Sequence, residues 1–129
     1  MRYLLDSNIL IDHLRGGNVW DNFIKNIDKD SEIFIPTVVV FELYSGLSSK
    51  KPKETKKIDN LQLFLKPVDV TWAIAKKAGE IYRDSKNKYD FPDYIIAATA
   101  MEIGAQVVTL NKKHFSQIPN LMLYSLCYY

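Results

Sequence analysis

Three acids, Asp6, Glu42 and Asp93, stand where chemistry is most plausible along the chain. Asp6 follows the apolar run Tyr3-Leu4-Leu5 and precedes Ser7 and Asn8. Glu42 lies between Phe41 and Leu43, which leave it little polar company. Asp93 follows Pro92 and opens the run Tyr94-Ile95-Ile96-Ala97-Ala98. Each has an ordinary structural role as well. Asp6 suits a helix cap, and Asp93 suits a first helical turn, where the macrodipole stabilises a carboxylate by roughly 0.3–1 kcal/mol. Glu42 suits the polar side of an amphipathic helix. Gathered in one dry cleft the three would repel, because like charges raise one another's pKa. A divalent cation offsets that repulsion. The single cysteine, Cys127, excludes an internal disulfide and a cysteine-based zinc site. His13 and His114 read as surface or packing residues. Oxygen donors of this kind suit Mg²⁺ or Mn²⁺ rather than zinc. Such an ion stabilises charge on phosphoryl oxygens and activates water. Lys50, Lys51, Lys53, Lys56 and Lys57 form one basic run, and Lys86, Lys88, Lys112 and Lys113 form two more groups. These runs can meet phosphates, although each alone reads more readily as a solvated helix face or loop. Acids, metal and lysines together point to phosphodiester hydrolysis.

Positioning those acids is the work of a single domain spanning residues 1–129. The composition is 47% hydrophobic and 25% charged, ordinary for a globular protein, and the net charge of +2 does not by itself imply nucleic-acid binding. No apolar stretch approaches the ~20 residues of a membrane span. The opening residues lack the pattern of a secretory leader, and one cysteine fits a cytoplasmic location. Short apolar runs alternate with helical stretches, which predicts an α/β fold with a largely parallel sheet. Strands are expected over residues 2–5, 32–35, 67–70 and 106–110, with a last edge strand over 121–126. Helices are expected over 9–15, 20–27, 38–47, 53–65, 72–87 and 93–103. Gly16-Gly17 and Gly104 serve as stops, and Thr37 and Thr71 as caps. In open parallel sheets ligands sit beyond the carboxyl ends of the strands. Asp6, Ser7, Asn8, Asn111 and His114 all fall just past such ends, and Asp93 starts a helix at the same kind of edge.

Four stretches carry a resemblance. They are Leu4-Leu5-Asp6-Ser7-Asn8-Ile9-Leu10-Ile11-Asp12, Val40-Phe41-Glu42-Leu43-Tyr44-Ser45-Gly46, Asp93-Tyr94-Ile95-Ile96-Ala97-Ala98-Thr99-Ala100 and Val108-Thr109-Leu110-Asn111-Lys112-Lys113-His114-Phe115. In that order and spacing the chain resembles the PIN-domain family, most closely its VapC-type toxin ribonucleases. The resemblance implies a three-layer α/β/α sandwich with a mainly parallel central sheet. It makes Asp6 and Asp93 direct metal ligands and Glu42 the third acid. Asn111 stands where many members carry a fourth acid, so a strong second metal site is not expected. Ser7 and Thr109 are candidates to hydrogen-bond the ligating carboxylates, and Asp90 is a further acid near Asp93. The resemblance also implies an RNA substrate, Mg²⁺ or Mn²⁺, a VapB-like antitoxin and a homodimer. Trp20, Phe23, Tyr44 and Leu47 form the candidate docking surface for the antitoxin.

Other readings leave different marks. A phosphoacceptor receiver domain would carry its lysine–proline pair near the last strand, whereas Lys66-Pro67 is mid-chain, and no acidic pair closes the first strand. A dinucleotide-binding enzyme would show Gly-x-Gly-x-x-Gly after strand one, which is missing. A PIN-domain RNA-processing nuclease outside any toxin–antitoxin pair remains an alternative, as does a silent RNA-binding relative. Retention of all three acids weighs against the silent form.

Overall fold

A computed structural model describes residues 1–126, the side chain of Leu47 excepted. Tyr3, Leu4 and Leu5 are all buried, as expected of a strand covered on both faces of a parallel sheet. They form β1 (Arg2–Leu5). It is joined by β2 (Glu32–Pro36), β3 (Lys66–Val68) and β4 (Gln106–Val108). The order is β3-β2-β1-β4 and every pairing is parallel. Tyr3 lies beside Ile33 and Gln106, and Leu5 lies beside Val108.

Among the described residues seven α-helices flank this sheet: α1 (Ser7–Leu14), α2 (Val19–Asn26), α3 (Thr37–Ser45), α4 (Pro52–Asn60), α5 (Trp72–Asp84), α6 (Phe91–Ile103) and α7 (Lys112–Phe115). The expected α/β architecture with a parallel sheet is therefore present. None of these helices is long and apolar enough to cross a membrane. The main core joins β1, β2 and β4 to α1, α2, α3 and α6 through residues such as Leu4, Leu10, Phe23, Val39, Ile96 and Val107. A smaller cluster of Ile74, Ala78, Tyr94, Ile95 and Ala98 binds α5 to α6. Helix α6 is thus covered on opposite sides, which explains its run of small apolar residues: Ala97, Ala98 and Ala100 are wholly buried.

Several boundaries differ from the sequence expectation. The edge strand expected over 121–126 reduces to a single parallel bridge between Leu123 and Val107. The backbone N–H of Val107 donates to Met122 and that of Tyr124 donates to the Val107 carbonyl, both at 2.9 Å. Leu126 is buried and anchors the segment by its side chain instead of a ladder. Helix α4 stops at Asn60 and tightens into a 3₁₀ turn, Leu61–Leu63. Ile58, Leu61 and Leu65 stay buried through that change, because a three- to four-residue apolar spacing suits either helix type. Helix α3 ends at Ser45, with Gly46 extended beyond it. Helix α5 ends at Asp84, not residue 87. Helix α6 begins at Phe91, with Pro92 inside the first turn, where its missing N–H costs nothing. Gly104 closes α6 at φ 66°, a left-handed conformation that glycine adopts without penalty.

Candidate active site

The site starts from how β1 ends. The Asp6 N–H donates to the Val108 carbonyl at 3.0 Å, so the β1–β4 ladder runs right up to the acid. Asp6 then caps α1, and its Oδ1 accepts the Ser7 N–H at 2.7 Å. Its Oδ2 accepts the Thr109 hydroxyl at 2.7 Å. That hydroxyl also accepts from Asn8 Nδ2 at 3.3 Å and from the Asn111 N–H at 2.9 Å. A hydroxyl has two lone pairs and one proton. With both lone pairs engaged, the proton of Thr109 must point at Asp6. The Leu110 N–H completes the tie by donating to Asn8 Oδ1 at 3.1 Å.

Glu42 reaches the same place from α3. Val39 and Leu43 turn that helix's apolar face inward, and Glu42 lies on the adjoining side. The Ser7 hydroxyl meets Glu42 Oε2 at 3.4 Å and Asp6 Oδ1 at 3.5 Å, bridging the two acids. Glu42 Oε1 is buried with no hydrogen-bond partner. Asp93 arrives on the first turn of α6. Its Oδ2 lies 3.4 Å from His114 Nδ1.

All three carboxyls are raised above the ordinary carboxylate range. Burial pushes the Asp6 carboxyl above the ordinary range, against the pull of its bonds from Thr109 and Ser7. Glu42 is raised by burial first, then by the charge of Asp6, and also by that of Asp93. Asp93 is raised by burial first and by the charge of Asp6 second, while His114 opposes the rise. Carboxyls raised by burial, two of them also by the charge of a neighbouring acid, make a site in want of positive charge. Among the described residues no three carboxylate, imidazole or thiol groups are already drawn into a complete ion cage. The fit to a hard divalent cation rests on donor type, on this mutual repulsion and on the orphaned Glu42 oxygen.

The structure thus brings together Asp6, Glu42, Asp93, Ser7 and Thr109. Asp90 does not join them: it is exposed, precedes α6 without a side-chain cap bond, and only adds a little to the rise at Asp93. Asn111 turns to His114, its Nδ2 lying 2.6 Å from the ring Nδ1. His114 itself, taken from sequence as a surface or packing residue, stands beside Asp93 with its ring stacked on Tyr89. Neither Tyr89 nor the short helix α7 was expected. The one available signal was the three-residue spacing of Asn111 and His114, which aligns them on one helical side. The expected docking surface also changes. Phe23 is only 1% exposed and packs edge-on against Tyr3 and Tyr124, so it faces the core and not a partner. The Leu47 side chain lies outside the described residues. A cleft of about 630 Å³ opens instead between α1 and the end of α4, lined by His13, Leu14, Lys57, Leu61 and Phe64.

Residues 3–121 match the PIN domain family. The chain is 34% identical to Ribonuclease VapC10 of Mycobacterium tuberculosis over 121 residues, covering 92% of this chain and 89% of that one. It is 32% identical to Ribonuclease VapC2 of Rickettsia felis over 130 residues, covering 95% and 96%. The structure of VapBC2 from Rickettsia felis bound to a DNA fragment from their promoter superposes at a TM-score of 0.84, with 28% identity over 96% of this chain and 98% of that one. VapBC-1 from nontypeable Haemophilus influenzae shares the fold at a TM-score of 0.81 and 19% identity, covering 97% and 98%.

Proposed function

The chain belongs to the PIN-domain family, and from that premise we propose that it is the toxin ribonuclease of a VapBC pair, hydrolysing RNA phosphodiester bonds with Mg²⁺ or Mn²⁺. The observation that carries the reading is the meeting of Asp6, Glu42 and Asp93, from three distant stretches, in one partly buried and mutually repelling cluster. Asp6 and Asp93 would hold the ion, and Glu42, with one oxygen left unpartnered, would complete the acidic set. When bound, the cation supplies charge stabilisation for the phosphoryl oxygens and makes water a competent nucleophile near neutral pH. The protein's own part is to aim the acids. Thr109 and Ser7 donate to Asp6 and so favour its ionised form, and Ser7 ties Asp6 to Glu42. Lys112 and Lys113, on the short helix beyond β4, lie close in sequence to Asn111 and His114 and offer positive charge to the phosphate backbone.

The partners that go with this reading are an RNA substrate, a VapB-like antitoxin and a second copy of the chain. Exposed Phe41, Trp72 and Phe91 offer apolar surface that a second copy would cover. A monomeric sedimentation mass would count against the dimer.

Cleavage of single-stranded or loop RNA should require Mg²⁺ or Mn²⁺ and stop with chelator. Asp6→Asn and Asp93→Asn should each lower the rate by at least ~100-fold, since losses of 10–100-fold follow even from disturbing groups that merely support metal ligands. Undiminished cleavage by Asp93→Asn, assayed with labelled RNA, would end this reading.

A further inference from the structure

Glu42 and Asp93 each meet a single side chain, whereas Asp6 is held from several sides. Asp6 receives the Ser7 N–H and the Thr109 hydroxyl, and Glu42 receives the Ser7 hydroxyl. Among the described residues the Asp93 carboxylate meets one side chain, His114, with Nδ1 at 3.4 Å from Oδ2. That imidazole is itself held from two sides. Its ring lies on Tyr89 at a centroid distance of 4.1 Å and an interplanar angle of 20°. Its Nδ1 lies 2.6 Å from the side-chain amide of Asn111. An amide can turn either its oxygen or its nitrogen to a neighbour. The amide nitrogen faces Nδ1 here; exchanging amide oxygen and nitrogen by a half-turn would put an acceptor there and let Nδ1–H be shared between Asn111 and Asp93. The stack also joins two segments that the backbone keeps apart. Tyr89 leads into α6 and Asp93 sits on its first turn, whereas Asn111 and His114 belong to the turn and short helix after β4.

We propose that His114 is a positioning residue for the metal centre, fixing the Asp93 carboxylate toward Asp6 and Glu42, and that Asn111 acts through His114 in place of ligating directly. This rests on the metal-dependent reading of the site. An amide is a poor substitute for a fourth carboxylate as a ligand to a hard ion. As an anchor for an imidazole it serves well, and the imidazole passes the restraint to an acid that has no other. Groups that orient metal ligands in this way are worth about 10–100-fold in metal affinity.

The test is Mn²⁺ titration of the RNA-free protein, following free Mn²⁺ by electron paramagnetic resonance. Melting of each variant in chelator serves as the folding control. His114→Ala should weaken Mn²⁺ binding by about 10-fold or more. Tyr89→Leu should weaken it in the same direction, and Tyr89→Phe should not, because the ring and not the hydroxyl makes the stack. If His114→Ala does not fold, the Tyr89 pair carries the test. Asn111→Ala should weaken binding in the wild-type chain and add nothing in the His114→Ala background, the non-additivity expected of residues acting in series. Unchanged or tighter Mn²⁺ binding in His114→Ala, with binding lost in Asp93→Asn, overturns the positioning role and leaves the metal site standing. Simple addition of the Asn111 and His114 effects overturns the role of Asn111. Wild-type binding in Asp93→Asn overturns the metal reading and this inference with it.

Discussion

Glu42 shows how much a single carboxylate can cost its own fold. Burial and the charges of Asp6 and Asp93 raise its pKa above the ordinary value of 4.5. A carboxyl raised in the folded state favours folding only while protonated. The penalty is absent at pH values below the unfolded pKa, grows as pH rises, and is complete above the folded pKa. At pH 7 without metal, Glu42→Gln should therefore melt at a higher temperature than the wild-type protein. The gain should shrink as pH falls toward 4.5, and saturating Mn²⁺ should stabilise the wild-type protein more than the variant. Melting curves at three pH values with and without Mn²⁺ test this, and a lower apo melting temperature for Glu42→Gln at pH 7 would contradict it. At this scale the acids were legible because each breaks an apolar pattern: Asp6 after Leu5, Glu42 between Phe41 and Leu43, Asp93 before Tyr94. His114 was not. Its meaning depends on Tyr89 and Asp93, more than twenty residues upstream, and no local spacing reports a contact that the fold alone creates.

Among the elements, α6 carries the tightest constraint. Ile96, Ala97 and Ala100 face the main core, and Tyr94, Ile95 and Ala98 face α5. Packed interiors accept added volume poorly, typically at a cost of about 1–3 kcal/mol. Ala97→Leu should destabilise the protein by about that amount in urea unfolding. It should also lower cleavage beyond what the unfolded fraction explains, because Asp93 rides on the first turn of the displaced helix. A variant that unfolds early yet cleaves normally per folded molecule would show that Asp93 does not depend on the seat of α6. The existence of these helices could be read from Pro92, Gly104 and the small apolar run, and α3 from Pro36, Thr37 and the following Glu42-Leu43-Tyr44 despite the β-favouring valines. Their ends were harder. Pro92 permits a start either before or after itself, and the Ile58, Leu61, Leu65 spacing is blind to the change from α to 3₁₀ at Leu61.

At the scale of the whole molecule, the parallel sheet order and the cleft between α1 and α4 belong to no single stretch of sequence. Leu14, Leu61 and Phe64 line that cleft beside Lys57, and Trp20 packs nearby against His13. If an antitoxin segment docks there, Phe64→Asp should reduce co-purification with the product of a short adjacent reading frame. Metal-dependent RNA cleavage by the free chain should persist. Equal retention of that product by the variant would move the docking surface elsewhere. The sheet itself carries a consequence for synthesis. β1 is made before the strands it pairs with: β2 comes about 30 positions later and β4 about 100 positions later. Asp6 waits for Thr109, 103 residues downstream, before its carboxylate is held. At roughly 5–20 residues per second of translation, Asp6 stays without the Thr109 hydroxyl for roughly 5–20 s after it is made. A chain cut or stalled before Gln106 lacks β4, the Thr109 hydroxyl and His114 together, and should show no metal-dependent RNA cleavage.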